Sequence, residues 1–314
     1  MQRDQPLVSS LSYRSVAKSA EIVLWIVVAL AAAPTSARGQ PAPAPAPPRL
    51  EIWGEVSGIS SGEFGMLVSS YSPPLLLDGD FTSHGSQTLG LDRTWHAGFA
   101  AGMNVFLVPA AGLQFTFDRD SAALSGVNGP YDVTLQYTSR PPPTNAPVPV
   151  SIHQSTPWPD TEGTITRTAV NANGVVRFGR PDRVSLTFSG GLTMQRFSGS
   201  VEPVAYTTFR LGGHSVLFQD DYRLAVALEP TVAFGFNLGS DVSAGIGHGL
   251  AVIGGYRYVG GPAIDVPLRD VTILNPDQIL FSQTAEDIRQ RLALAPVRLS
   301  VASSRVFVGL KVFF

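Results

Sequence analysis

The sequence predicts an all-β protein: a transmembrane antiparallel up-and-down β-barrel of eight strands, with ten possible, and long loops at one end. Three observations carry this reading. Segments with period-two alternation and one apolar face recur from Leu50 to Phe314. The links joining them alternate strictly between long and short. Beyond residue 37 no apolar stretch approaches the length of a spanning helix, so any passage through a bilayer is made by strands.

Taken in order, Arg3, Arg14 and Lys18 precede an unbroken apolar run, residues 22–33, closed by Pro34 and small residues up to Ala37. Residues 1–37 read as a secretory signal peptide cleaved after Ala37. A twelve-residue apolar helix rises only about 18 Å, short of the roughly 30 Å hydrocarbon core, which argues against a retained anchor. Residues 38–49 are Pro- and Ala-rich and read as an extended spacer.

Eight strands follow. Residues 50–57 set Ile52, Gly54 and Val56 against Glu51, Trp53, Glu55 and Ser57, and residues 95–108 set Trp95, Phe99, Met103 and Leu107 against His96, Gly98, Gly102 and Asn104. Residues 112–118 place Leu113, Phe115 and Phe117 outward, and residues 164–178 place Val170, Ala172, Val176 and Phe178 outward opposite Arg167 and Arg177. Residues 183–195 are the clearest alternation, from Val184 to Leu192 on the apolar side. In residues 222–238, Leu224, Val226, Leu228, Val232, Phe234 and Phe236 are expected to face lipid, Glu229 and Asn237 to face inward, and Pro230 to mark a bulge. Residues 249–259 turn Leu250, Val252, Tyr256 and Tyr258 out and Arg257 in. In the last strand, residues 305–314, Val306, Val308, Leu310, Val312 and Phe314 share one face, opposite Arg305, Gly309 and Lys311.

The short links fall near residues 109–111, 179–182 and 239–242, and the long ones near 58–91, 119–162, 197–221 and 260–299. A barrel with tight turns on one side of a membrane and long loops on the other has this alternation. A possible further strand at 131–137, with a partner near 204–210, either lengthens a hairpin above the membrane or raises the count to ten.

Composition narrows the function. The formal charge of −2 provides no basic field, so nucleic acid is not an expected partner. With no cysteine, a lipid-anchored N terminus, disulfides and thiolate metal sites are all excluded.

The architecture and the Phe314 end resemble the small eight-stranded outer-membrane barrels of the outer-membrane protein A/X and opacity type, over residues 50–314. The resemblance implies a Gram-negative outer-membrane location with both termini periplasmic. It also implies insertion by the barrel-assembly machinery, with Val308, Leu310, Val312 and Phe314 as the C-terminal signal. The loops depart from that pattern in size, since they hold roughly half of the mature chain.

The inward charges Glu51, Glu55, Asp118, Arg167, Arg177, Glu229, Arg257, Arg305 and Lys311 mix both signs, so an internal ion-pair ladder is expected, with Glu229 set against Arg177 or Lys311. Such a ladder either plugs the lumen or gates a polar conduit.

Two histidine groups have the residue types of a hydrolase: His84 with Ser83, Ser86 and Asp80, and His214 with Ser215, Asp220 and Asp221. Neither has a nucleophile elbow or a spacing that sets geometry. Asp78-Gly79-Asp80 lacks calcium-loop spacing. Thr284 and Asp287 are expected to cap a short helix with Ile288 and Leu292 on one face, and the proline-rich segment 140–149 suits partner recognition.

The expected function is a non-enzymatic structural or surface-interaction (adhesion-like) barrel, with no catalytic residue, cofactor or metal. Its expected partners are outer-membrane lipid and lipopolysaccharide, and an extracellular surface ligand through the loops. A small-solute channel and a lipid A- or phospholipid-modifying enzyme are the alternatives.

Overall fold

The computed structural model describes residues 49–61, 66–71, 82–93, 95–128, 131–140, 143–157, 159, 161–212, 215–280, 283–294 and 296–314. Residues 1–48, which hold the expected signal peptide and nearly all of the expected spacer, lie outside the described residues.

Three long hairpins carry most of the chain. In the first, β1 (Leu50–Ser61) and β2 (Met66–Tyr71) ascend, and β3 (Thr82–Arg93) and β4 (His96–Val108) return. In the second, β5 (Ala111–Asn128) and β6 (Tyr131–Ser139) ascend, and β7 (Val148–Thr156) and β8 (Thr161–Gly179) return. The third is β9 (Val184–Gly212) with β10 (Ser215–Gly247). Next come β11 (Leu250–Gly260), β12 (Ile264–Val266), β13 (Leu268–Ile273), helix α1 (Ala285–Arg291), β14 (Leu292–Leu294), β15 (Val297–Leu299) and β16 (Ser303–Phe313).

Eight of these strands close a ring. The order is β1-β4-β5-β8-β9-β10-β11-β16, and β16 pairs antiparallel with β1 from Glu51↔Phe313 to Ser61↔Ser303. Partners can be followed once round, through Glu51, Asn104, Gln114, Asn173, Gly191, Asn237, Val259 and Ser303. The path returns to β1 at Ser61, ten residues above its start. For eight strands, a stagger of ten tilts each strand by about 40° and sets a backbone radius of about 8 Å. Opposite walls are then within reach of each other's long side chains.

The count is eight rather than ten, because segment 131–139 does not enter the ring. It pairs with β3 and β7 and lengthens the second hairpin; its partner is Val148–Thr156, not residues near 204–210. The short links at 109–110 and 180–183 lie where expected. The third does not: β10 continues through residues 239–242 and turns only at His248-Gly249. There His248 has φ 55° between Gly247 at 99° and Gly249 at 75°, a left-handed run in which two of three residues need to lack a Cβ.

Two storeys divide the molecule. In the lower one Phe99, Phe115, Phe117, Val170, Leu192, Phe234, Phe236 and Leu310 are exposed outward, while Glu51, Asp118, Asn171, Arg177, Asn237 and Lys311 are buried inward. Apolar outside and polar inside is the polarity of a wall standing in lipid. In the upper storey it reverses. Ala122, Leu124, Ile165, Phe197, Val201, Leu224, Val226 and Leu228 form an apolar core together with Val266, Val271, Ile288, Val297 and Leu299.

The expectation that Leu224, Val226 and Leu228 face lipid is therefore overturned. A register shift between Leu228 and Thr231, at Pro230, moves the strand to the other parity. Below the bulge the outside is lipid and above it water, so the apolar parity has to change sides. Glu229 is carried outward and lies exposed on the upper wall.

The fourth connection completes the upper wall where β11, β16 and β1 have ended. β13 pairs with β10 from Leu224↔Ile273 to Leu228↔Leu268, β14 pairs with β2, and α1 runs between them with Ile288 fully buried. The helix begins in a capping box: the Asp287 amide donates to Thr284 Oγ1 (3.1 Å), and the Thr284 amide and hydroxyl donate to Asp287 Oδ2 (3.3 and 2.6 Å). These bonds hold the Asp287 carboxyl below its ordinary range.

A lowered folded-state pKa means that the cap contributes at pH above the ordinary carboxylate value and is lost as pH falls through the lowered one. Thr284→Ala is expected to weaken the seating of the helix by about 1 kcal/mol. Hydrogen exchange of residues 285–291 measures it, and an unchanged rate would remove the cap from the account.

A charged lattice across the lumen as candidate functional site

The inward parity of the lower storey places five carboxylates and five basic side chains in one column: Glu51, Glu55, Asp118, Asp120 and Asp241, with Arg167, Arg177, Arg257, Arg305 and Lys311. Three levels can be separated.

At the short-turn end Glu51 pairs with Arg177 and with Lys311 (3.3 Å), and Lys311 also reaches Asp241 (3.3 Å). A chain of amides runs from there along the wall. Asn104 donates to Glu51 (2.8 Å), Gln114 to Asn104 (3.0 Å), Asn173 to Gln114 (2.9 Å) and Asn237 to Asn173 (2.8 Å). Arg177 also lies 3.9 Å from the centre of the Phe106 ring, a cation–π contact in a desolvated place.

At mid-depth Arg257 lies between Glu55 (3.4 Å) and Asp118 (3.5 Å), with the Trp53 and Phe307 rings each 5.4 Å away. Trp53 fits only because the next strand carries Gly102, where a Cβ would stand 2.5 Å from the indole.

The upper level gathers on Asp120. Arg167 (2.6 Å), Arg305 (2.9 Å) and His96 (2.9 Å) all reach it, and Arg305 also touches Asp118 (3.3 Å).

Two contacts cross the full diameter. β8 and β16 are four strands apart in the ring, yet Arg167 donates to Ser303 at 3.0 Å. β11 and β5 are also four apart, yet Arg257 meets Asp118. Among the described residues these contacts bridge the bore in the lower storey, and the apolar core lies above them.

Glu55, Asp118, Arg167, Arg177, Arg257, Arg305 and Lys311 all lie in this lattice. Glu229 does not, and its proposed pairing with Arg177 or Lys311 is replaced by Glu51 and Asp241. Two members were missed. Asp120 continues the even parity of Gln114, Thr116 and Asp118, one period beyond the point where the sequence alternation stops. Asp241 continues Asn237 and Gly239 on β10, although Gly239-Ser240-Asp241 has the composition of a turn.

Val308, Leu310 and Phe314 are exposed on the lipid side of β16 and Val312 is half-buried there, in the seam between β1 and β11. Of the histidine groups, Asp80 and His214 lie outside the described residues. Ser83, His84 and Ser86 sit on β3. Asp220 is buried, accepts from the Leu280 amide (3.1 Å) and so anchors the fourth connection.

No family model matches the chain, and no curated protein does. Among solved structures it is similar to Neisserial surface protein A, at 12% identity over 84% of this chain and 97% of that one, with a TM-score of 0.31. OprG from Pseudomonas aeruginosa matches at 9% identity over 85% and 96%, TM-score 0.38. Ail of Yersinia pestis matches at 8% over 84% and 98%, TM-score 0.30. The closed ring, its stagger and its inverted polarity define the class by themselves: an eight-stranded outer-membrane-type β-barrel with a filled lumen.

Proposed function

We propose that the chain is an integral protein of a Gram-negative outer membrane, with both termini periplasmic and the upper storey outside. We further propose that it serves a structural or surface-interaction, adhesion-like role rather than an enzymatic one. The observation that carries this reading is the double closure, a charged lattice crossing the bore below an apolar core. A lumen built this way supports neither solute passage nor an open pocket inside the barrel, and leaves the projecting hairpins as the working surface. The second hairpin projects beyond the ring through β6 and β7, whose solvent-facing residues include Gln136, Thr138, Ser151 and His153. Insertion by the barrel-assembly machinery through the Phe314 strand, and contact of the loops with lipopolysaccharide, belong to the same proposal.

The test uses cells producing the full chain or a variant lacking residues 143–146 at the tip of the second hairpin. Attachment to host or abiotic surfaces is expected to fall severalfold in the variant, while purified protein in planar bilayers stays at the leak level and extracted lipid A is unaltered. Conductance above leak would favour the channel, and a changed lipid A species would favour the enzyme.

A further inference from the structure

One hollow in the upper storey belongs neither to the lattice nor to the apolar core. It opens where β8, β9 and β10 meet the turn that follows β13, and it encloses about 490 Å³. That volume falls in the range of small-molecule sites. Four charged side chains line it, in two poles.

The first pole is Glu162 and Glu202, direct cross-strand partners on one face of the β8–β9 pair. Such partners set their Cβ atoms about 5 Å apart, and like charges so placed repel. Among the described residues neither carboxylate has an ion pair or a side-chain hydrogen bond.

The second pole is Arg223 of β10 with Asp277 of the turn. The turn is fastened to β10 at this point. The Arg223 amide donates to Asn275 Oδ1 (2.8 Å), Asn275 Nδ2 to the Asp221 carbonyl (2.9 Å), and the Leu274 amide to the Arg223 carbonyl (2.8 Å). The pole is therefore preformed. Yet among the described residues the Arg223 guanidinium is bonded to none of the three carboxylates, and Asp277 has no partner either. Pro203, Pro276 and Leu274 add rigid apolar lining.

Opposite charges that share a hollow without bonding one another complement a ligand carrying the same charges reversed. A guanidinium beside a carboxylate matches the head of an α-amino acid: Arg223 takes its carboxylate with two parallel hydrogen bonds, and Asp277 takes its ammonium. Two facing carboxylates match a second cation, and the apolar lining suits the methylene stem that carries it. We infer that this hollow binds a free basic amino acid, with the side-chain cation between Glu162 and Glu202. All four charged side chains are exposed, so each pair alone contributes little and the site works only when one ligand engages both poles. Binding is accordingly expected to weaken as salt rises. The inference needs the upper storey to stand in water, which its polarity provides, and it does not rest on the adhesion-like role.

Isothermal titration of the purified full chain in detergent tests the site with three probes. Lysine has both ends, cadaverine lacks the carboxylate, and norleucine lacks the side-chain ammonium. Wild type is expected to bind lysine saturably and each of the others about tenfold more weakly. Arg223→Gln is expected to abolish the preference for lysine over cadaverine, and Glu202→Gln the preference for lysine over norleucine. Arg269→Gln, exposed and outside the hollow, is expected to change neither.

The site is overturned if wild type gives no saturable heat with lysine, if the three probes bind equally, or if folded Arg223→Gln and Glu202→Gln keep both preferences. Should a variant lose the heat-dependent gel shift of a folded barrel, the wild-type ratios still decide. Attachment is scored on cells and amino-acid binding on purified protein, so failure of one reading is distinguishable from failure of the other.

Discussion

Asp120→Ala is expected to destabilise the barrel by about 3–5 kcal/mol, because it strands the buried Arg167 and leaves the buried Arg305 with Asp118 alone. Arg167 and Arg305 are both fully buried, and each loses its shortest ion pair. Neither can neutralise itself, since a guanidinium keeps its proton throughout the accessible range. Neither can swing to water, because the bore above is filled by the apolar core and the bore below by Arg257 and Glu55. Arg269→Ala is the control: its pair with Asp270 is about two-thirds exposed on both sides, and its loss is expected to stay within about 0.5 kcal/mol. Urea midpoints of the gel-shifted form in detergent compare the two. Equal shifts for Asp120→Ala and Arg269→Ala would show that the lattice does not hold the lower storey together.

Val226→Asp is expected to unfasten the upper storey while leaving the lower barrel folded. Val226 is fully buried among Leu224, Leu228 and the fourth connection. A carboxylate there has no basic partner within the apolar core, and the cost of such an uncompensated charge is about 3–5 kcal/mol. The charge cannot be relieved by a small tilt, because β10 at this point is paired on both edges, to β9 and to β13.

Two readouts follow. Limited proteolysis is expected to cut the fourth connection within residues 274–283, and the heat-dependent gel shift of the barrel is expected to persist. The opposite pattern, an intact upper storey with failed membrane insertion, would mean that Val226 faces lipid as the sequence alone suggests. Phe197→Ala, which opens a cavity in the same core, is expected to cost about 3–5 kcal/mol by loss of packing.

The contrast at Val226 shows where sequence reading stops. Alternation within β9 is unbroken from Val184 to Leu192, and every side chain there takes the side that its parity indicates. In β10 the same rule holds from Val232 to Leu238 and fails from Leu224 to Leu228, although both stretches alternate equally well. Period two reports that one face is apolar. It does not report whether that face meets acyl chains or a protein core, because both are apolar surroundings. The shift at Pro230 is visible in the sequence as an irregularity, but its consequence depends on where the membrane ends, and that height is set by the whole ring.

The lattice divides in the same way. Arg167, Arg177, Arg257, Arg305 and Lys311 were legible as inward, since a basic side chain on the lipid parity is costly. Their partners were not. Glu51 and Arg177 come from strands three places apart in the ring, and only the ten-residue stagger brings them to one level. Asp120 lies one period past Asp118, where residues 118–121 are polar on both parities and the alternation no longer marks a strand.

The sequence by itself determined the strand parity of the lower wall and the closure of the last strand onto the first, because parity and closure follow from local alternation and from the need to leave no backbone edge in lipid. The choice between eight and ten strands fell to the structure. Tertiary structure alone decided the ion-pair partners, the upper storey and the inward turn of Leu224, Val226 and Leu228. Those depend on the stagger of the ring and on the height at which water replaces lipid, two quantities that belong to no single segment of the chain.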